Sequence, residues 1–182
     1  MELTYSIGRP ALFPQIESWG LTLDMAVNRV EITEQLQDGL GYKLLIVIEK
    51  RQVGFFMSNQ WRTVMETHYP TIPVLELILV HQLSQIIFLP VLWVAFWTRL
   101  LPEAISTTFV HIGPCREFMR EIRMQNPYIP NVYLVDQQGR AVWVSSSAPT
   151  EEDLAQLESI IHRRKRPFGE RVDPRRQSHT KE

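Results

Sequence analysis

Residues 131–144 read NVYLVDQQGRAVWV. Two apolar runs flank Asp136-Gln137-Gln138-Gly139, which fits a type I turn with glycine in the left-handed position. Strand alternation puts Tyr133 and Val135 on one face and Leu134 on the other. Asp136 is placed to open the turn by bonding to backbone, and Trp143 to pack against the hairpin partner. Pro130 stands just before the first strand. The stretch is therefore an antiparallel hairpin, and what lies on either side decides which sheet it closes.

Downstream, SSSAPTEEDLAQLESIIHRRKR reads as a helix. Thr150 is the N-cap, with Asp153 in the place of a capping-box acid. Glu151 and Glu152 in the first turn and Arg163 to Arg166 at the end suit the helix dipole. Leu154, Leu157, Ile160 and Ile161 form its buried stripe. Upstream, CREFMREIRMQN (115–126) is an amphipathic helix with Phe118, Ile122 and Met119 turned inward. KLLIVIEK (43–50) and IPVLELILV (72–80) are short apolar runs, as expected of strands buried on both faces of a parallel sheet. Between them, Phe55 to Tyr69 has helical spacing, with Phe55, Trp61, Val64, Met65 and Tyr69 on one stripe and Pro70 as the stop. RVEITEQLQDGLG is a short helix begun by Ile32 or Thr33 and stopped by Gly39 and Gly41. RPALFPQIESWGLTLD reads as an extended opening segment.

Buried strands alternating with helices, then a hairpin and a final helix, make an α/β chain with a sheet covered on both faces. This order, with Ile-Pro before the hairpin, resembles the thioredoxin-like superfamily. The expected layout is an opening segment and short helix over 1–42. A thioredoxin-like domain follows over 43–166, with an apolar helical insertion near 82–112. A basic, disordered tail occupies 167–182. The resemblance implies that Pro130 is the cis-proline beside the redox site.

That site lacks its thiols. The chain of 182 residues has one cysteine, Cys115, which rules out an intramolecular disulfide and a Cys-rich zinc centre. Redox relatives carry their cysteines just after the first core strand, where this chain has EKRQVGFFMSNQW. Cys115 follows Pro114 close to a helix start, where a thiol can be activated, but a buried inert thiol is the simpler reading. His68, His81, His111, His162 and His179 show no metal-ligand spacing. Glu49, Glu66 and Glu76 are isolated candidate acids. No metal, no cofactor and no catalytic residue is expected.

Net charge is −1 overall, so the molecule as a whole is not built for DNA. It is unevenly spread: residues 162–182 hold eight Lys/Arg against three Asp/Glu, leaving 11 against 17 elsewhere. The basic end suits a solvated helix terminus, an anionic lipid surface or RNA. MELTYSIGRPALF has neither the basic-then-apolar order of a secretory signal nor the Arg/Ser content of a mitochondrial presequence.

Several pieces together carry a closer resemblance: FPQIESWGLTL, PVLELILV, the aromatic segment after it, and NPYIPNVYLVDQQGRAVWVSSSAPTEEDLAQL. They resemble the family of the mitochondrial F-type ATP synthase assembly factor ten. The positions that match its pattern are Asn126, Tyr128, Tyr133, Leu134, Val135, Asp136, Gly139, Arg140, Trp143, Glu151, Glu152 and Leu154. Pro130 stands where members often have glycine, and Ser145 to Ser147 replace a Gly/Ala-rich run.

The resemblance implies an assembly chaperone and not an enzyme. It would act at the matrix side of the inner mitochondrial membrane on the newly made proton-channel subunit a (subunit six) and its ring partner. The client or membrane contact would fall on the uncharged run Ile86 to Thr98 and its flank, through Trp93, Phe96, Trp97 and Leu100. Trp93 and Trp97 share a helix face. The same run also reads as a core helix of the insertion, and from Leu83 to Leu101 as a membrane span. Two other functions fit the residues: a permanent thioredoxin-like subunit of a mitochondrial ribosome or respiratory complex, and a single-cysteine thiol enzyme using Cys115. No oligomeric state is implied.

Overall fold

The computed structural model describes residues 5–21, 27–38, 41–49, 51–81, 107–124, 126 and 128–165. In chain order these form β1 (Tyr5–Leu12), β2 (Glu17–Leu21), β3 (Val27–Glu31), α1 (Ile32–Gln37), β4 (Lys43–Ile48), α2 (Arg51–His68), β5 (Val74–Val80), β6 (Thr108–Ile112), α3 (Arg116–Glu121), β7 (Asn131–Val135), β8 (Arg140–Ser145) and α4 (Glu151–Lys165). The strands make one eight-stranded sheet in the order β1-β8-β7-β4-β5-β6-β2-β3. β4, β5 and β6 run parallel. β7 turns antiparallel to β4, and β8 to β7. This is the thioredoxin-like core, with β1 added at one edge and the β2–β3 hairpin at the other.

Period-two alternation sorts the apolar side chains onto two faces. Leu45, Val47, Leu77, Leu79, Tyr133 and Val135 pack beneath Ile32 and Leu36 of α1 and Phe118 of α3. Leu44, Ile46, Ile48, Leu134 and Trp143 pack against Trp61 and Met65 of α2 and Leu157 and Ile161 of α4. Each fully buried Leu or Ile contributes about 1.5–3 kcal/mol relative to exposure, so the two-faced burial of β4, β5 and β7 explains their unbroken apolar runs. Gly54 lets α2 lie close on β4, because a Cβ there would sit 2.6 Å from Ile48 Cγ2.

The hairpin forms as its sequence implies. Gly139 N–H donates to the Asp136 carbonyl at 2.9 Å, with Gly139 at φ +75°. Leu134 pairs with Trp143 across it. Thr150 caps α4: Asp153 N–H donates to Thr150 Oγ1 at 3.2 Å, and Thr150 N–H to Asp153 Oδ2 at 3.2 Å.

Other expectations are corrected. The opening segment contains three sheet strands, whose long-range partners leave no local mark. β6 falls inside 82–112, so residues 108–112 belong to the sheet and not to an insertion. The amphipathic helix is shorter than 115–126. Met124 N–H reaches back to the Met119 carbonyl at 2.9 Å, and Arg123 takes φ 58°, a left-handed stop usually filled by glycine. Among the described residues no peptide bond is cis, so the bond before Pro130 is trans, the form X–Pro bonds generally favour. Residues 82–106 and the tail 167–182 lie outside the described residues.

Candidate functional site

The parallel strands deliver three polar side chains to one end of the sheet. Glu49 directly follows β4, His81 directly follows β5, and Cys115 lies just beyond β6. The β4–β7 register pairs Val47 with Asn131, so Pro130 arrives at the same end. The resemblance drawn from the sequence would place redox thiols just after β4, at this end of the sheet, where Glu49 and His81 meet. Glu49 is buried (4 % exposed) and its Oε1 lies 2.5 Å from His81 Nε2. The two side chains share that one hydrogen bond. Glu49 Oε2 has no hydrogen-bond partner among the described residues. The His81 side chain is a quarter exposed and is the pair's route to solvent.

Cys115 is buried and makes no side-chain capping bond to α3. Burial, and then the Glu49 carboxylate, push its thiol up to about 11. Nucleophilic exchange needs the thiolate, so the environment works against thiol chemistry. At pH 8 such a thiol has roughly 200-fold less thiolate than an ordinary cysteine. Iodoacetamide is therefore expected to label the native chain at least that much more slowly than the urea-unfolded chain. Equal rates in the two states would refute the buried, protonated thiol. Among the described residues no group of three or more His, Cys, Asp or Glu is placed to hold a metal ion.

Tyr133, Asp136, Gly139, Arg140 and Trp143 of the motif block brace the hairpin. Tyr133 Oη donates to the Ile122 carbonyl at 2.7 Å and accepts from Asn131 Nδ2 at 3.0 Å, tying β7 to the end of α3. Trp143 is fully buried, stacks edge-on against Trp61 at 5.7 Å, and donates Nε1–H to Gln156 Oε1 at 3.1 Å. Asn126 Oδ1 accepts the Tyr128 N–H at 3.0 Å. Tyr128 is the exposed aromatic of the block.

Asp136 is buried at the turn. Its Oδ1 accepts the N–H groups of Gln138 and Arg140, and its Oδ2 accepts two bonds from the Arg140 guanidinium. Burial alone would raise its pKa. The Arg140 side chain and the two N–H groups outweigh that and hold the carboxyl below its ordinary value. A depressed carboxylate stabilises the fold above the unfolded-state pKa and loses that contribution as pH falls through the folded value. Asp136→Asn is thus expected to cost about 1–2 kcal/mol at pH 7, with the difference from wild type shrinking at acid pH as the depressed folded-state value is passed. Urea melts at pH 7 and at acid pH check this, and a pH-independent difference would contradict it.

The contact candidates Trp93, Phe96, Trp97 and Leu100 lie outside the described residues. No helix among the described residues is long and apolar enough to cross a membrane. The spacing of the sequence hides two pairings: Glu49 with His81, 32 positions apart, and Arg62 with Glu76. Isolated Glu and His residues were the only trace of the first.

Sheet order, helix placement and the missing thiol pair define a thioredoxin-like domain without a redox dithiol. Solved structures agree on the fold. The reduced 2-Cys peroxiredoxin of Plasmodium vivax matches with a TM-score of 0.54 at 12 % identity, covering 89 % of this chain and 100 % of that one. Plasmodium yoelii Prx1a matches at 0.55 and 14 % identity, covering 88 % and 94 %. A DsbF homologue from Corynebacterium diphtheriae matches at 0.53 and 16 % identity, covering 87 % and 92 %. At such identities the likeness is one of fold. No curated protein matches. Residues 8–163 match the ATP10 protein family, and the chain belongs to it. That membership links the chain to ATP synthase assembly.

Proposed function

We propose that this chain is an assembly chaperone acting by binding and not by catalysis. Its client is the newly made membrane proton-channel subunit a (subunit six) of the mitochondrial ATP synthase. It promotes that subunit's union with its ring partner at the matrix side of the inner membrane. The observation that carries this reading is the family match over residues 8–163. The absence of a thiol after β4 and the buried Cys115 support it, because a fold stripped of exchangeable thiols retains its value as a platform. In this reading Trp93, Phe96, Trp97 and Leu100 cover apolar client or lipid surface, as interfacial tryptophans do. The basic end, 162–182, holds the protein near anionic lipid.

The test is affinity capture of the tagged chain from mitochondria whose translation products are pulse-labelled. Labelled subunit a is expected early and is expected to fade during the chase, and the Trp93→Ser/Trp97→Ser variant is expected to lose it while remaining folded. Steady recovery of a whole ribosome or respiratory complex without labelled client would overturn the chaperone reading.

A further inference from the structure

On the face of the sheet that carries α1 and α3, a groove of about 540 Å³ opens between the end of β1, α1 and the end of α3. That volume lies within the range of clefts that hold ligands. Its floor is firm: Phe13 is buried, stacks edge-on against Tyr133 at 5.3 Å and Phe118 at 5.8 Å, and donates its N–H to the Gly139 carbonyl at 2.8 Å. Leu12 stands at the rim, 67 % exposed. The polar lining is of one sign. Glu31, Glu34 and Glu121 face the groove, and among the described residues neither lysine nor arginine lines it. Glu31 accepts the Thr33 hydroxyl, and among the described residues none of the three carboxylates is paired with a Lys or Arg side chain. Outside residues 162–182 the chain carries 11 basic against 17 acidic residues, so the surrounding field has the same sign as the groove.

We propose that this groove docks a basic segment of a partner protein: an extended stretch with Lys or Arg side chains for the three glutamates and an apolar side chain against Leu12 and Phe13. Charge complementarity selects this occupant. An acidic or neutral apolar segment would leave three like-signed carboxylates facing each other without a counter-charge, whereas a basic one neutralises them and is steered in by the domain's field. The rigid aromatic floor offers an apolar anchor without reordering. The inference concerns the free chain and does not depend on the chaperone reading, so either can fail alone.

The test uses the full chain and a fluorescein-labelled peptide Lys-Leu-Arg-Leu-Lys, read by anisotropy at low salt, with Glu-Leu-Glu-Leu-Glu as the reversed-charge control. The basic peptide is expected to bind and the acidic one to fail. Glu34→Gln/Glu121→Gln is expected to weaken binding roughly tenfold, the sum of two exposed ion pairs. Binding is also expected to weaken as salt rises. Both glutamates are exposed, so the variant is expected to keep the wild-type melt. Equal affinity in that variant, or equal binding of the acidic peptide, would overturn the proposal. Tighter peptide binding after Arg175→Gln/Arg176→Gln in the full chain would identify the chain's own tail as the occupant and overturn the assignment to a partner.

Discussion

Replacing Arg62 with methionine is expected to destabilise the domain by about 3–5 kcal/mol, because it strands a buried charge. Glu76 lies in β5 in the middle of the sheet and is 1 % exposed. Its Oε2 accepts from Arg62 Nη2 at 3.0 Å, and its Oε1 accepts from the fully buried Ser58 hydroxyl at 2.8 Å. Arg62 also reaches the hydroxyls of Thr107 and Thr108 at the start of β6. One guanidinium therefore joins α2, β5 and β6. Breaking such a pair from one side is much more costly than removing both charges together. Arg62→Met/Glu76→Met is accordingly expected to recover most of the loss. Urea denaturation of the two single variants and the double variant closes the cycle. If the double variant is no more stable than Arg62→Met, the penalty does not come from an uncompensated carboxylate.

Trp143→Ala is expected to cost about 3–5 kcal/mol, as for other large aromatic side chains removed from a core. Trp143 sits at the centre of the layer between the sheet and α2/α4, opposite Leu134 and edge-on to Trp61. Trp61 in turn donates Nε1–H to the Ser147 carbonyl at 2.8 Å, which pins the loop after β8 to α2. Trp143→Phe keeps most of the apolar volume but leaves Gln156 without its donor. Since Gln156 is half-buried and can turn to water, the loss is expected to stay near 1 kcal/mol. Thermal melts of both variants separate packing from hydrogen bonding. If the two variants melt together, the indole N–H matters more than the ring's volume.

These two positions differ in how far the sequence revealed them. Trp143 was legible as a residue packed against the hairpin, since the turn is written in Asp136 and Gly139, but its pairing with Leu134 depends on a register shift between Leu134 and Val135 that only the structure shows. β4, β5, α2 and α4 were legible, since apolar period, capping residues and Pro70 act over a few residues. The motif block from Asn126 to Leu154 and the absence of a second cysteine were equally plain, and the block lies inside the family match over residues 8–163. The Arg62–Glu76 pair was not legible. Glu76 looks like one acid in an apolar run until α2 is laid across β5.

The sequence by itself therefore determined the α/β order, the closing hairpin, the capped final helix and the missing thiol pair, because each depends on neighbours close in the chain. Only the tertiary structure decided that β6 and the three opening strands join the sheet. It alone paired Glu49 with His81 where the thiols would be, buried Cys115 beside them, and gathered Glu31, Glu34 and Glu121 around one groove. Those features come from pairing residues tens of positions apart, and sheet register and side-chain burial at that range leave no periodic signal in the chain.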